Sequence, residues 1–435
     1  MTRDETTLLH TADWQLGKPF GRVRDEAARE RLTTLRYDAL RRIADLANER
    51  RVAAVVVAGD VFDDAHPGHD TLQRAAEALR ELRAPLLLLP GNHDAAAPGD
   101  DEGALHRFAR EREALRSASP TVVLDEERPY DEVVEGVVFW PAPVRPEQQG
   151  DPTNWIHGAA PDDDGRLHVL VAHGGDRTML QALQGGGTHD EKEPNIDVGR
   201  FFAEGVRSVF AYGALGDWHS PLEVPGTAGR ARYAGTPEQC SWKERDPGHV
   251  LLVTLPAARV EQVRVGEGRW VRLPADGTSA FAVHTEEDLE RLERWVQQQQ
   301  PLSKAWLRLT LAGRPSVGLH RRLRAWLQEL ARRTLQLEVD DDRLRPAIDE
   351  GWLEQLADDP VVGAVAGALR EALEAHAEDT EAPETVPEPD DVEAFEKWVE
   401  DGDLDRLAAP REAEVLRLAL TKLADAWQEK EGGAR

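Results

Sequence analysis

One cysteine, Cys240, stands in 435 residues. That excludes an intramolecular disulfide and any paired-cysteine metal site, and it suits a reducing compartment. Apolar residues are scarce for a globular chain, at 40%. No apolar run approaches the roughly 18 residues that a membrane helix needs. The opening MTRDETTLLH has no long apolar core and does not read as a signal peptide. Cytoplasmic residence without membrane contact is the expectation. Positive charge is short as well: 53 Lys and Arg face 81 Asp and Glu, a formal net charge of −28. This balance argues against unaided nucleic-acid binding, because phosphate contacts need Lys and Arg. It favours divalent cations and solubility. The length suffices for two or three domains and a large core.

The residues present are organised around positions 51–63, RVAAVVVAGDVFD. An unbroken β-branched run of this kind reads as a strand buried on both faces. It stops at Gly59-Asp60. The glycine permits a sharp turn, and the carboxylate arrives at the strand's carboxyl end, where open α/β sheets place ligands. The pattern recurs. Residues 7–12 end at Asp13, and 85–90, PLLLLP, run into Gly91-Asn92-His93-Asp94. Residues 167–172, LHVLVA, end at His173-Gly174, and 206–215 end at Gly216-Asp217-Trp218-His219. Helical spacing over 23–50 (Leu32, Leu35, Leu40, Ile43, Leu46) makes a βαβ unit with the first two strands. Further helices are expected over 71–82 and 102–116, and strands over 121–124 and 136–140. Residues 141–164 read as a surface loop and 175–195 as a Gly-rich active-site loop. Residues 232–238 and 249–255 should close the sheet.

The fold class predicted is α/β, with a first domain over 1–256. A small α+β capping domain over 275–345 follows, from helices at 286–299 and 319–333 and strands at 305–311 and 335–339. Beyond it the pattern gives a helical segment (346–376), an acidic Pro-rich linker (377–391) and a helical C-terminal region (392–435).

Cleaving a phosphoester calls for two divalent ions that activate a water and neutralise charge on the phosphoryl oxygens. Carboxylate, imidazole and amide oxygen are the donors that suit Mn²⁺, Mg²⁺ or Zn²⁺. In chain order the candidates are Asp13, Asp60, Asn92, His173, Asp217 and His219, with His93 free to act as an acid. A lone His173 would more often be a core histidine, and Asn92-His93-Asp94 alone would be a turn. Five such elements in order, each at a strand end, decide for the metal reading. Gln15 is as well explained as a loop residue as a ligand. Trp14 and Trp218 either pack beside the site or stack on an unpaired base. Arg321, Arg322, Arg324, Arg332 and Arg333 form a nucleic-acid patch or a solvated helix face.

The motif order resembles the calcineurin-like metallophosphoesterase superfamily. Within it, LHTADWQLG at 9–17, GDVFD at 59–63 and YAGTPE at 233–238 are similar to SbcD-type double-strand-break repair nucleases. The resemblance runs from residue 6 to about 255. It implies a four-layer α/β/β/α sandwich in which Asp60 bridges two ions. Asp13 and His219 would hold the first ion, and Asn92 and His173 the second. His93 would be the general acid, oriented by Asp94 or Asp63. The chain departs from the family pattern at Gln15 and Asp217, where the family has histidines. Both changes move the site from nitrogen towards oxygen donors, so Mn²⁺ or Mg²⁺ should be preferred over softer ions, with a looser first metal and, at the limit, a weak or inactive site.

The function this implies is a metal-dependent DNA exo/endonuclease in repair or in defence against foreign DNA. An SMC-like ABC ATPase of the SbcC type would dock on the C-terminal helical region. Homodimerisation stays open. The alternatives are a phosphodiesterase for small nucleotides or other phosphoesters, and a catalytically weak scaffold that recruits a coiled-coil ATPase.

Overall fold

A computed structural model describes residues 5–94, 103–146, 150–159, 164–177, 179, 195–203 and 209–346. The expected segments at 346–376, 377–391 and 392–435, with the docking role given to the last, lie almost wholly outside these residues. The chain divides into two compact units, Met1–Trp270 and Val271–Arg435.

The first unit holds two six-stranded sheets. The first sheet contains β1 (Thr6–Thr11), β2 (Ala54–Val57), β3 (Leu86–Leu88), β4 (Thr121–Val123), β13 (His249–Leu255) and β14 (Arg259–Arg264). The second contains β5 (Tyr130–Val134), β6 (Val137–Ala142), β7 (Leu167–His173), β10 (Phe210–Gly216), β11 (Leu222–Glu223) and β12 (Ala231–Tyr233). β8 (Gly175–Asp176) and β9 (Asn195–Ile196) pair with each other. In the first sheet β1 to β4 run parallel in chain order, β13 pairs antiparallel with β1, and β14 lies antiparallel to β13 at the edge. In the second, β7 lies parallel between β6 and β10.

Alternate residues of each strand face opposite layers, and three cores follow from that period. Leu8, Val56, Leu87 and Val253 of one sheet meet Phe139, Val169, Val171 and Ala214 of the other, forming the central core. Leu9, Val55, Val57 and Leu88 face the other way. They pack under α1 (Glu26–Arg50), α2 (His69–Ala78) and α3 (Ala104–Ala114) through Leu40, Ile43, Leu72 and Phe108. On the far side of the second sheet, Trp140, Leu170 and Leu215 pack on Ile156 of α4 (Asn154–Gly158) and on Phe201 and Phe202 of α5 (Gly199–Phe202). The result is helices, sheet, sheet, helices: the four-layer α/β arrangement expected. His10 joins the two sheets. Its Nε2 lies 3.2 Å from the Leu215 carbonyl and its Nδ1 2.9 Å from the Tyr212 hydroxyl.

Several local expectations shift. The first helix begins at Glu26 rather than at residue 23, because the Asp25 side chain caps it by accepting from the Ala27 and Ala28 amides. β5, YDEVV, has no counterpart in the expectations: it is an edge strand whose middle is exposed, so it carries no apolar run. The 141–164 stretch holds the short α4.

In the second unit the long strand Ala305–Gly313 pairs in parallel with Phe281–Ala282 and with Gln336–Leu344. Helices Glu286–Gln297 and Val317–Arg333 cover it through Leu289, Leu292, Leu323 and Leu327. The last strand continues to Leu344, past the expected end at residue 339, since its acidic second half has no apolar run to reveal it. Of the basic cluster, Arg322 pairs with Glu286, Arg324 with Asp341 and Arg332 with Glu329, as expected of a solvated helix face.

Candidate metal centre

Each candidate ligand stands where a strand of one sheet or the other ends. Asp13 follows β1, Asp60 follows β2, Asn92 follows β3, His173 ends β7, and Asp217 and His219 follow β10. At such ends the backbone turns abruptly to aim side chains along the sheet edge. Asp13 (φ 53°), Gln15 (43°), Asp60 (53°) and Asp217 (104°) all adopt left-handed conformations. Left-handed backbone at residues other than glycine costs of order 1–3 kcal/mol each, and it persists where the surroundings over-determine it. The glycines between them are placed for close approach. A Cβ on Gly91 would stand 2.2 Å from Asp60 Oδ1, and one on Gly216 would stand 1.9 Å from the Ala58 carbonyl oxygen.

His173 is the centre of the arrangement. Its Nδ1 donates to the Ala58 carbonyl at 2.8 Å, so its Nε2 carries the lone pair in the neutral ring. Nε2 lies 2.8 Å from Asn92 Oδ1, 3.4 Å from Asp60 Oδ1 and 3.9 Å from Asp217 Oδ1. Asp13 Oδ1 lies 4.0 Å from His173 Nδ1 and accepts from the Asp217 amide at 3.0 Å. Asp13, Asp60 and His173 are buried, and their ligand atoms all lie within 4.8 Å of one another.

The donor set fits a divalent cation. Several carboxylates share a buried space, a costly arrangement without positive charge. Burial raises the pKa of Asp13, and Asp60 raises it further against the pull of His219 and His173. Burial opposes charge on His173, but Asp60, Asp13 and Asp217 overcome it and lift that imidazole to about 9. A site that draws a proton this strongly onto a buried ring would draw a divalent ion in its place.

Beside this group lies a second one. Gln15 Nε2 is 3.1 Å from His219 Nε2, while Gln15 Oε1 accepts from Lys18 Nζ and faces the Cys240 thiol at 3.7 Å. The other ring nitrogen of His219 lies 3.1 Å from Glu244 Oε1. Neither Glu244 nor Lys18 is among the sequence candidates. Neither follows an apolar run, and only the fold brings Glu244 to His219.

His93 sits at the rim, its side chain 39% exposed, with Nε2 3.9 Å from Asp60 Oδ2. The expected orienting carboxylate is not what holds it: Nδ1 donates to the backbone carbonyl of Asp63 at 3.1 Å. The Asp63 carboxylate faces Lys18 at 3.5 Å. Asp94 serves the backbone instead. It accepts from the Val61 and Gly91 amides, both at 2.7 Å, and from the Phe62 amide at 3.2 Å. It therefore ties the turn after β2 to the turn after β3, and these turns carry Asp60 and Asn92. Burial and the Asp60 charge raise Asp94 to about 7. Trp14 and Trp218 pack: Trp14 is 2% exposed and donates to Thr11 Oγ1, and Trp218 lies against the Tyr233 ring.

The match to a protein family agrees with this geometry. Residues 6–253 match the calcineurin-like phosphoesterase family. The chain is 24% identical over 326 residues to the SbcD component of the SbcCD nuclease of Bacillus subtilis (strain 168), covering 70% of this chain and 78% of that one. Among solved structures, purple acid phosphatase PPD1 from yellow lupin (Lupinus luteus) seeds aligns at a TM-score of 0.35 and 12% identity. That alignment covers 61% of this chain and 52% of the phosphatase, so the chain spans about half of its length. With a family match across both sheets and a convergent set of oxygen and nitrogen donors at their strand ends, the chain belongs to the calcineurin-like phosphoesterases and is a metal-dependent phosphoesterase.

Proposed function

We propose that this phosphoesterase is a DNA nuclease that hydrolyses phosphodiester bonds with two divalent ions, Mn²⁺ or Mg²⁺, in the repair of DNA or in defence against foreign DNA. The observation that carries the reading is the convergence of Asn92, Asp60 and Asp217 within 3.9 Å of one imidazole nitrogen, Nε2 of His173. The similarity to the SbcD component of a nuclease over 70% of the chain supports DNA as substrate. Asp60 would bridge the two ions. Asp13 and His219, with Gln15, would hold one of them. Asn92, His173 and Asp217 would hold the other. The bound ions supply charge neutralisation at the phosphoryl oxygens and acidify water. The chain's own residues do the rest. His93, fixed at Nδ1 by the Asp63 carbonyl, keeps Nε2 aimed into the site, where the ring in its imidazolium form hands the Nε2 proton to the leaving oxygen as a water oxygen bonds to phosphorus and the P–O bond breaks, leaving the imidazole neutral. Asp94 keeps the two turns in register so that Asp60 and Asn92 share one ion.

The net charge of −28 leaves most DNA affinity to a partner, and an SMC-like ABC ATPase of the SbcC type in the cytoplasm is the partner that fits the relative's name. Incubation of the full chain with Mn²⁺ and labelled single- and double-stranded DNA tests the substrate. Cleavage that vanishes in Asp60→Ala and His93→Ala supports the nuclease. Turnover of a small phosphodiester beside intact DNA, with and without the ATPase, would replace it with the small-substrate reading.

A further inference from the structure

We propose that Glu244 is a positioning residue for His219, locking the imidazole so that its Nε2 faces the first ion. The inference rests on the proposed role of His219 as a ligand. Glu244 is part of SWKE at 241–244, beyond the last strand-end motif, and its side chain is 2% exposed. A carboxylate buried to that degree is held by hydrogen bonds or by positive charge. Here three donors converge on it. His219 Nδ1 lies 3.1 Å from Oε1, the Cys240 thiol lies 2.9 Å from the same oxygen, and the Cys240 amide donates to Oε2 at 2.9 Å. Cys240 thereby holds the carboxylate from its backbone and its side chain together.

The consequence for His219 is a fixed tautomer. With Nδ1–H given to Glu244, the lone pair of the neutral ring sits on Nε2, which looks towards Gln15. A histidine that ligates a metal through one nitrogen and donates the other to a carboxylate is held in orientation and made a stronger donor. His173 gains the same fixation from a backbone carbonyl, that of Ala58. The two imidazoles are thus oriented by different means: one by a neutral carbonyl just past β2, the other by an anion in the loop before β13. The anion matters more at the first ion, where Gln15 offers a neutral amide and Lys18 adds positive charge 3.5 Å from Asp63.

Mn²⁺ binding to the full chain tests this, followed by electron paramagnetic resonance and calorimetry rather than by turnover. Glu244→Ala should weaken one ion about 10- to 100-fold, the range for removing such an outer carboxylate, and leave the other within about twofold. Glu244→Gln keeps an acceptor oxygen and should lose less than the alanine variant. His219→Ala is the control. If it weakens neither ion, the ligand role of His219 fails, and this inference with it. If His219→Ala weakens one ion while Glu244→Ala leaves both at wild-type affinity, only the positioning role is overturned. Equal loss of both ions with a lowered Tm in Glu244→Ala also overturns it, because that marks general structural damage. Should the alanine variant not fold, Glu244→Gln decides alone: selective weakening of one ion supports the role, and unchanged binding of both rejects it.

Discussion

His173 donates its Nδ1 proton to the carbonyl of Ala58, and the next residue, Gly59, lies close against the same ring. A Cβ on Gly59 would fall 2.2 Å from His173 Nδ1, and Gly59 holds φ at +93°. Gly59→Ala therefore meets both a clash and a conformation that L-residues avoid. We expect a stability loss of about 2 kcal/mol or more and weaker binding of the ion at His173. Thermal unfolding and Mn²⁺ titration check it. A variant with the Tm and metal affinity of the parent would remove His173 from the centre of the site.

The exposed imidazole of His93 is the proton donor in the proposed mechanism. His93→Ala should lower kcat roughly 10²- to 10⁴-fold, the usual contribution of general acid–base catalysis. Affinity for Mn²⁺ should hold, because the ring's Nε2 is 3.9 Å from Asp60 Oδ2 and its Nδ1 is taken by a backbone carbonyl. The comparison to make is kcat against metal affinity in one preparation. Loss of both together would mean that the ring holds an ion instead.

Position 15 borders the first ion in the same proposal. Gln15→His replaces an amide with imidazole, a stronger ligand for transition metals. We expect tighter binding of the weaker ion and better support of activity by Zn²⁺. Lys18 opposes this, since its ammonium already contacts the residue-15 side chain. If metal affinities do not move, position 15 does not face an ion.

Acid sensitivity should come in part from His10. Burial lowers its pKa from 6.5 to about 3, against the raising effect of its bond to the Leu215 carbonyl. The folded chain keeps this ring neutral while the unfolded chain protonates it below 6.5. Stability contributed here is complete above that pH and is lost as pH falls towards 3. The loss amounts to roughly 5 kcal/mol over the whole window. In His10→Gln the stability curve below pH 6.5 should be flatter than in the parent, even if its plateau is lower. Denaturant unfolding across pH measures this, and parallel curves would contradict it.

Several of these assignments are legible from residue order alone, and others are not. An apolar run that stops at an Asp, Asn or His is a local pattern, because burial on both faces demands continuous apolarity and the ligand edge demands a turn. Asp13, Asp60, Asn92, His173, Asp217 and His219 can be picked out on that basis. The pairing of His93 with a backbone carbonyl cannot, because every residue carries one and nothing in the composition marks that of Asp63. The polar edge strand Tyr130–Val134 escapes for a related reason: half-exposed pairing leaves no apolar signature.

What the amino-acid order settled by itself is therefore the chemistry: strand ends rich in carboxylate and imidazole, a single thiol and a strong negative charge. The tertiary structure decided which atoms of those residues meet. It gave His173 its partner from another sheet, turned Asp94 onto the amides of two turns, and brought Glu244 behind His219 across 25 positions. The reason is physical. Strand formation and turning depend on neighbours along the chain, whereas the protonated nitrogen of an imidazole depends on whatever acceptor packing delivers to it.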